Sequence, residues 1–119
     1  MRLGIITGSG TYSLPGFEGT GPEPVATMWG DAFVSRGTFA GVDVLHVSRH
    51  EEGHLRLSNH VTHQANLAGL KQLGADAVLA VTVCGAVDPG VELGTLICFD
   101  DLHFFSNRLF DGSLCTFHH

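Results

Sequence analysis

A chain of 119 residues with 44% apolar and only 15% charged side chains has the length of one domain and the material for a core, which excludes a disordered segment. Six basic against twelve acidic residues give a formal charge of −6, and a net acidic field repels nucleic-acid backbones and anionic bilayers, so neither is expected as the main partner. The longest apolar region, Ala77–Ala86, is broken by Thr82 and Gly85 and falls short of a membrane span.

Arg2 is followed by a short apolar run that ends in Gly-Ser-Gly, which is not the pattern of a secretory leader. Cys84, Cys98 and Cys115 are odd in number and stand at no ligand spacing. Reduced thiols, and with them a cytoplasmic protein, are the expectation.

Leu3–Thr7 reads as a buried first strand, and Gly8–Gly16 with Pro15 as a loop. Residues 17–32 read as irregular. Ala32–Phe39 and Val42–Val47 are strand-like runs joined by Ala40-Gly41, a hairpin signal. Glu51–Leu57 is polar and reads as a loop. From Ser58 to Leu73 the apolar residues Val61, Ala65, Ala68 and Leu73 recur at roughly helical spacing, with Ser58 as N-cap and Gly74 as the stop. Ala77–Val83 reads as a continuous apolar strand buried on both faces of a parallel sheet, and Gly94–Phe99 as a further strand. Asp100–His119 shows no clear period. Strand-helix-strand order makes the fold class α/β, with a mixed twisted sheet flanked by helices.

Two elements seek an anion. Arg49 and His50 follow an apolar strand, which delivers cationic donors to the open edge of a sheet, where α/β proteins keep their chemistry. The first strand runs into Gly8-Ser9-Gly10, whose hydroxyl and amides are a second donor set. Taken singly, each has a plain structural reading: Ser9 in a tight turn, Arg49 as a solvated side chain, Thr82 as an ordinary strand former. Eight histidines raise a metal question, with His60 and His63 three apart, His54 upstream and His118-His119 at the end. None reproduces a recognised zinc signature, and no metal is expected.

Five segments in order, Gly4–Gly10, Ser48-Arg49-His50 with His54, Gln64–Leu67 with Leu70-Lys71, Val81–Ala86 and Phe110-Asp111-Gly112, resemble the methylthioadenosine phosphorylase branch of the trimeric purine nucleoside phosphorylases. The resemblance covers nearly the whole chain but only the amino-terminal half of such an enzyme. It implies an incomplete phosphorylase/hydrolase-like fold, with residues 1–119 the amino-terminal part of a single nucleoside phosphorylase domain. It further implies a pentosyltransferase of purine salvage that splits 5'-methylthioadenosine with inorganic phosphate, giving free purine and 5-methylthioribose 1-phosphate. No cofactor is implied, because phosphate is the co-substrate. A homotrimer or a multiple of it is implied, with the carboxyl-terminal remainder of the protein as a further partner.

Carried over by position, the resemblance makes Ser9, Arg49, His50, Thr82 and the Val83 amide phosphate ligands, and sets Cys84, Gly85 and His54 beside the nucleoside. No residue of the chain is implied as a general acid or base, because the nucleophile arrives ionised. Alternatives that stay open are a phosphorylase of 6-oxopurine nucleosides, such as inosine, guanosine or methylthioinosine, and a non-catalytic phosphate- or nucleoside-binding subunit. The chain departs from the family pattern at Glu51-Glu52-Gly53, where glycine and basic or polar residues are usual, and at Val61-Thr62-His63. Two carboxylates facing a phosphate would oppose it. The family's base-reading and sugar-holding residues lie beyond the half represented here.

Overall fold

The computed structural model describes residues 1–8, 11, 13–50, 61–103, 105, 108, 109 and 111–116. Strand β1 (Arg2–Thr7) runs through the middle of the molecule, parallel to β5 (Val42–Ser48) on one side and to β6 (Ala77–Ala80) on the other. Gly4, Ile5 and Thr7 are buried and Leu3 and Ile6 partly so, which suits a central strand that is apolar almost throughout. β4 (Gly30–Phe39) pairs antiparallel with β5 through a two-residue turn at Ala40 and Gly41, both at positive φ (49° and 77°). That geometry matches the twist of the flanking strands and is why a tight hairpin forms there.

Residues 17–32 are not irregular. They contain β2 (Phe17–Gly19) and β3 (Glu23–Thr27), which lie one after the other along the outer edge of β4. Thr20, Gly21, Pro22 and Pro24 disguise them as loop. Pro24 is tolerated because β3 pairs only with β4, so the missing N–H falls on an edge. Gly19 faces Gly37 across the β2–β4 ladder, and a side chain at either would run into the Arg36 or Glu18 carbonyl. The result is a mixed six-stranded sheet of order β2-β4-β5-β1-β6, with β3 beside β4.

Helix α1 spans His63–Gln72, shorter than the expected 58–73. Thr62 holds the N-cap position without a side-chain hydrogen bond, and Ser58 lies outside the described residues. Of the residues that spacing suggested, Val61 and Ala65 are buried and Leu73 packs at the edge of the core, while Ala68 is only partly buried. The buried face is Ala65, Asn66, Gly69 and Leu70. Gly69 decides this, since a Cβ there would sit 2.8 Å from that of Ala32, so the backbones of α1 and β4 approach closely. Leu70 seats over Gly4. Together with Ala32, Val34, Leu45 and Val47 it forms the core on this face of the sheet, with Ile6, Val25, Leu73 and Ala75 packed around it.

The helix ends as its sequence predicts. Gly74 (φ 80°) donates to the Lys71 carbonyl and Ala75 to that of Leu70, each at 3.0 Å, the paired bonds of a Schellman motif. Gly74→Ala is expected to lower stability by about 1 kcal/mol, because a Cβ disfavours positive φ. A shift of the urea midpoint with unchanged slope checks it.

β6 and the segment after it depart furthest from expectation. The strand stops at Ala80, not Val83, and all four of its residues are exposed, not buried on both faces. Its outer edge pairs with no strand among the described residues. Gly94–Phe99 forms no strand; a turn that bonds Thr95 to the Glu92 carbonyl takes its place. Extended apolar residues become a strand only where a neighbour accepts their ladder bonds, and none does here among the described residues. Val83, Val87, Leu93, Leu96 and Phe99 are all exposed.

Candidate anion site at the strand ends

Parallel pairing brings the carboxyl-terminal ends of β5, β1 and β6 to one edge of the sheet, because Thr7 is level with Ser48 and Ile6 with Ala80. The ladder runs one step further on each side: the Arg49 amide donates to the Thr7 carbonyl at 3.1 Å, and the Val81 amide to that of Ile6 at 2.8 Å. Gly8, Arg49 and Thr82 therefore leave the sheet side by side.

The Arg49 guanidinium crosses from β5 to β6 over the end of β1. Its Nη2 donates to Thr82 Oγ1 at 2.7 Å. A Cβ on Gly8 would lie 2.7 Å from that Nη2, so a side chain there would displace the guanidinium from this crossing. At the other end, Arg49 Nε donates to His50 Nε2 at 3.2 Å. His50 is almost wholly buried, at 2% exposure. A nitrogen that accepts this bond carries no proton, so in this arrangement His50 steadies the guanidinium with its Nε2 lone pair.

Two of the five guanidinium N–H groups are thus engaged. The other three meet no acceptor among the described residues, and no carboxylate there pairs with Arg49. A fixed cationic fork with unused donors at an open sheet edge is suited to a tetrahedral oxyanion, which accepts two parallel N–H bonds. Thr82 Oγ1 adds a hydroxyl whose own hydrogen is held only loosely, toward the Val83 carbonyl at 3.4 Å. Val83, Cys84 and Gly85 continue from it, exposed, with open space around Gly85.

Beneath this edge, on the sheet face opposite α1, a cavity of about 220 Å³ is lined by Ile5, Thr7, Gly8, Thr11, Leu14, Phe39, Leu79, Val81, Thr82 and Val83. It is mostly apolar, the character of a surface that meets a ring system. Of the residues singled out from sequence, Arg49, His50, Thr82 and Val83 are brought to one edge with Cys84 and Gly85 next to them. Ser9, His54, Glu51, Glu52 and His60 lie outside the described residues. His63 is exposed at the start of α1. Among the described residues no group of three or more His, Cys, Asp or Glu is placed to hold a metal ion.

Sequence reasoning passed over Thr7, Thr11 and His46. His46 is buried with Nε2 2.9 Å from Thr7 Oγ1, and Thr7 in turn donates to the Thr11 carbonyl at 2.8 Å. A histidine inside the run Val44-Leu45-His46-Val47 was the available signal, since a buried polar group requires a partner. Asp111-Gly112, part of the family-like pattern, forms a tight turn. Asp111 Oδ1 accepts from the Ser113 amide and hydroxyl, which hold its carboxyl below the usual carboxylate range.

Known proteins carry the same arrangement of sequence. A 5'-methylthioadenosine phosphorylase of Bradyrhizobium diazoefficiens is 36% identical over 100 residues, covering 82% of this chain and 34% of that protein. A probable 6-oxopurine nucleoside phosphorylase of Dictyoglomus turgidum is 30% identical over 109 residues, covering 91% of this chain and 41% of its own length. Among solved structures, methylthioadenosine phosphorylase of Schistosoma mansoni in complex with adenine superposes with a TM-score of 0.61 at 33% identity, over 66% of this chain and 29% of that one. The chain thus spans well under half of these relatives. The profile of the phosphorylase superfamily matches residues 2–115, and with the mixed sheet and the parallel strand ends described above it establishes that the chain belongs to that superfamily.

Proposed function

We propose that this chain supplies the phosphate-holding part of a purine nucleoside phosphorylase, with 5'-methylthioadenosine as the preferred substrate. The observation that carries the reading is the Arg49 guanidinium, tied to His50 and Thr82 and laid across Gly8 with three donors that meet no acceptor among the described residues. Phosphorolysis requires a phosphate oxygen to approach C1' as the purine departs and positive charge grows on the sugar ring. The protein's task is then to hold a multiply charged anion in line without protonating it. Arg49 grips two oxygens, Thr82 and the Val83 amide a third region, and Ser9 adds its hydroxyl from the loop beyond Gly8. His50 acts on phosphate chiefly by fixing Arg49. Cys84, Gly85 and His54 are assigned to the nucleoside side, where the apolar cavity opens.

On this reading residues 1–119 are the amino-terminal part of a single domain. The exposed apolar residues after β6 support it, because large apolar side chains in such number are normally covered. The base reader and the sugar-holding residues belong to the partner segment that covers it. The protein is read as a homotrimer of purine salvage that needs no cofactor beyond phosphate. A cytoplasmic setting is supported by three cysteines that form no disulfide and by the lack, among the described residues, of a helix long and apolar enough to cross a membrane. The 6-oxopurine alternative is favoured by relatives of that description at comparable coverage.

In its native assembly the protein is expected to release adenine from methylthioadenosine only when phosphate is present, in a one-to-one ratio with the sugar 1-phosphate. Equal release without phosphate would mean hydrolysis and overturn the proposal. Release from inosine but not from methylthioadenosine would select the alternative.

A further inference from the structure

Thr11 is tied to the end of β1 by two bonds. Its amide donates to the Gly8 carbonyl at 3.2 Å, and its carbonyl accepts the Thr7 hydroxyl at 2.8 Å. A hydroxyl has one hydrogen, and Thr7 gives it to Thr11. The 2.9 Å contact to His46 therefore has Thr7 Oγ1 as acceptor and His46 Nε2–H as donor. This places a proton on Nε2.

We propose that His46, acting through Thr7, is a positioning residue for the end of β1, holding Gly8 and Thr11 in place beside the Arg49 guanidinium that receives phosphate. The inference rests on the phosphate-site reading of that edge. His46 itself reaches no substrate, because it lies inside the sheet, level with Ile5 on β1 and Ser35 on β4.

The same geometry makes the device acid-sensitive. Among the described residues, the groups that face the imidazole are Thr7 and Ile5 from β1, Ser35 from β4 and the Phe17 ring from β2, with centroids 6.1 Å apart. None is charged. Burial alone holds His46 below its ordinary value near 6.5. As pH falls through that value an unfolded or locally opened chain takes up the proton before the closed one does, so the closed arrangement loses stability toward acid and keeps it above. Among the described residues nothing accepts a second N–H from Nδ1, so a protonated ring gains by turning toward water and leaving Thr7.

The test uses the native assembly. His46→Phe and Thr7→Val are each expected to raise the KM for phosphate about 5- to 10-fold at pH 7.5 with kcat changed less than twofold, the size of one lost hydrogen bond. Thr7→Ser, which keeps the hydroxyl, is expected to restore it. His46→Gln keeps an N–H at the Nε2 position but cannot titrate. It is expected to match wild type at pH 7.5 and to show a smaller rise in KM below pH 6.5. Taking the wild-type to variant ratio at each pH cancels phosphate's own ionisation.

Hydrogen exchange at the Thr11 amide provides a readout apart from activity, expected to quicken at least 10-fold in Thr7→Val and in His46→Phe. Unchanged KM and unchanged Thr11 exchange in both variants would overturn the proposal, as would an acid limb in His46→Gln equal to that of wild type. If wild-type activity proves independent of phosphate while Thr11 exchange still responds, it is the phosphate reading that fails and the positioning of Thr11 that stands.

Discussion

Arg49→Lys is expected to reduce kcat/KM for phosphate by about 100-fold, and Arg49→Ala by about 1,000-fold, the range seen when one preorganised charge-stabilising donor is removed. The lysine variant separates geometry from charge. It keeps the cation but has a single ammonium that cannot at once donate to His50, donate to Thr82 and present a planar pair of N–H groups to an anion. If charge alone mattered, lysine would rescue most of the activity. Thermal stability should move little in either variant, because the guanidinium sits at the sheet edge outside the apolar core. Thr82→Val is expected to cost about 10-fold, because the neutral valine leaves one Nη2 hydrogen without its acceptor. Phosphate titrations at constant ionic strength check all three, since added salt screens an exposed anion site. Wild-type kcat/KM in Arg49→Lys would contradict the assigned role.

Arg49 was legible in the sequence for a physical reason: a cation after an apolar run stands at the end of a strand, and parallel strand ends collect at one edge. Thr82 acquires meaning only through register. Its partner comes from a strand two places away in the sheet, with β1 between, and an intrinsic strand former gives no local sign of that. His46 was passed over although it interrupts an apolar run, and its role required knowing that β1 lies alongside in the register Ile5–His46. β2 and β3 were hidden because Gly and Pro are read as loop, although edge strands accept both. The strand expected at Gly94–Phe99 failed in the opposite way, with composition suited to a ladder and no neighbour among the described residues to form one.

The largest effect on folding is expected at Leu70, not at the site. Leu70 is fully buried on α1 and rests on Gly4 of β1, so it joins the helix to the strand whose far end carries the Gly8 turn. Leu70→Ala removes three carbon atoms from a packed core and is expected to lower stability by about 2–5 kcal/mol, depending on how far α1 settles. Gly4→Ala alone would place a Cβ 3.0 Å from Leu70 Cδ1 and 3.4 Å from Cδ2 and Val78 Cγ2, a tight fit costing about 1 kcal/mol or more. In the double variant the two changes oppose each other, since the added methyl enters the space the leucine vacates. Its loss should therefore be smaller than the sum by about 1 kcal/mol, which urea unfolding of the four proteins in the native assembly resolves. Strict additivity would mean that Leu70 and Gly4 do not share a contact, and the packing of α1 on β1 would have to be redrawn.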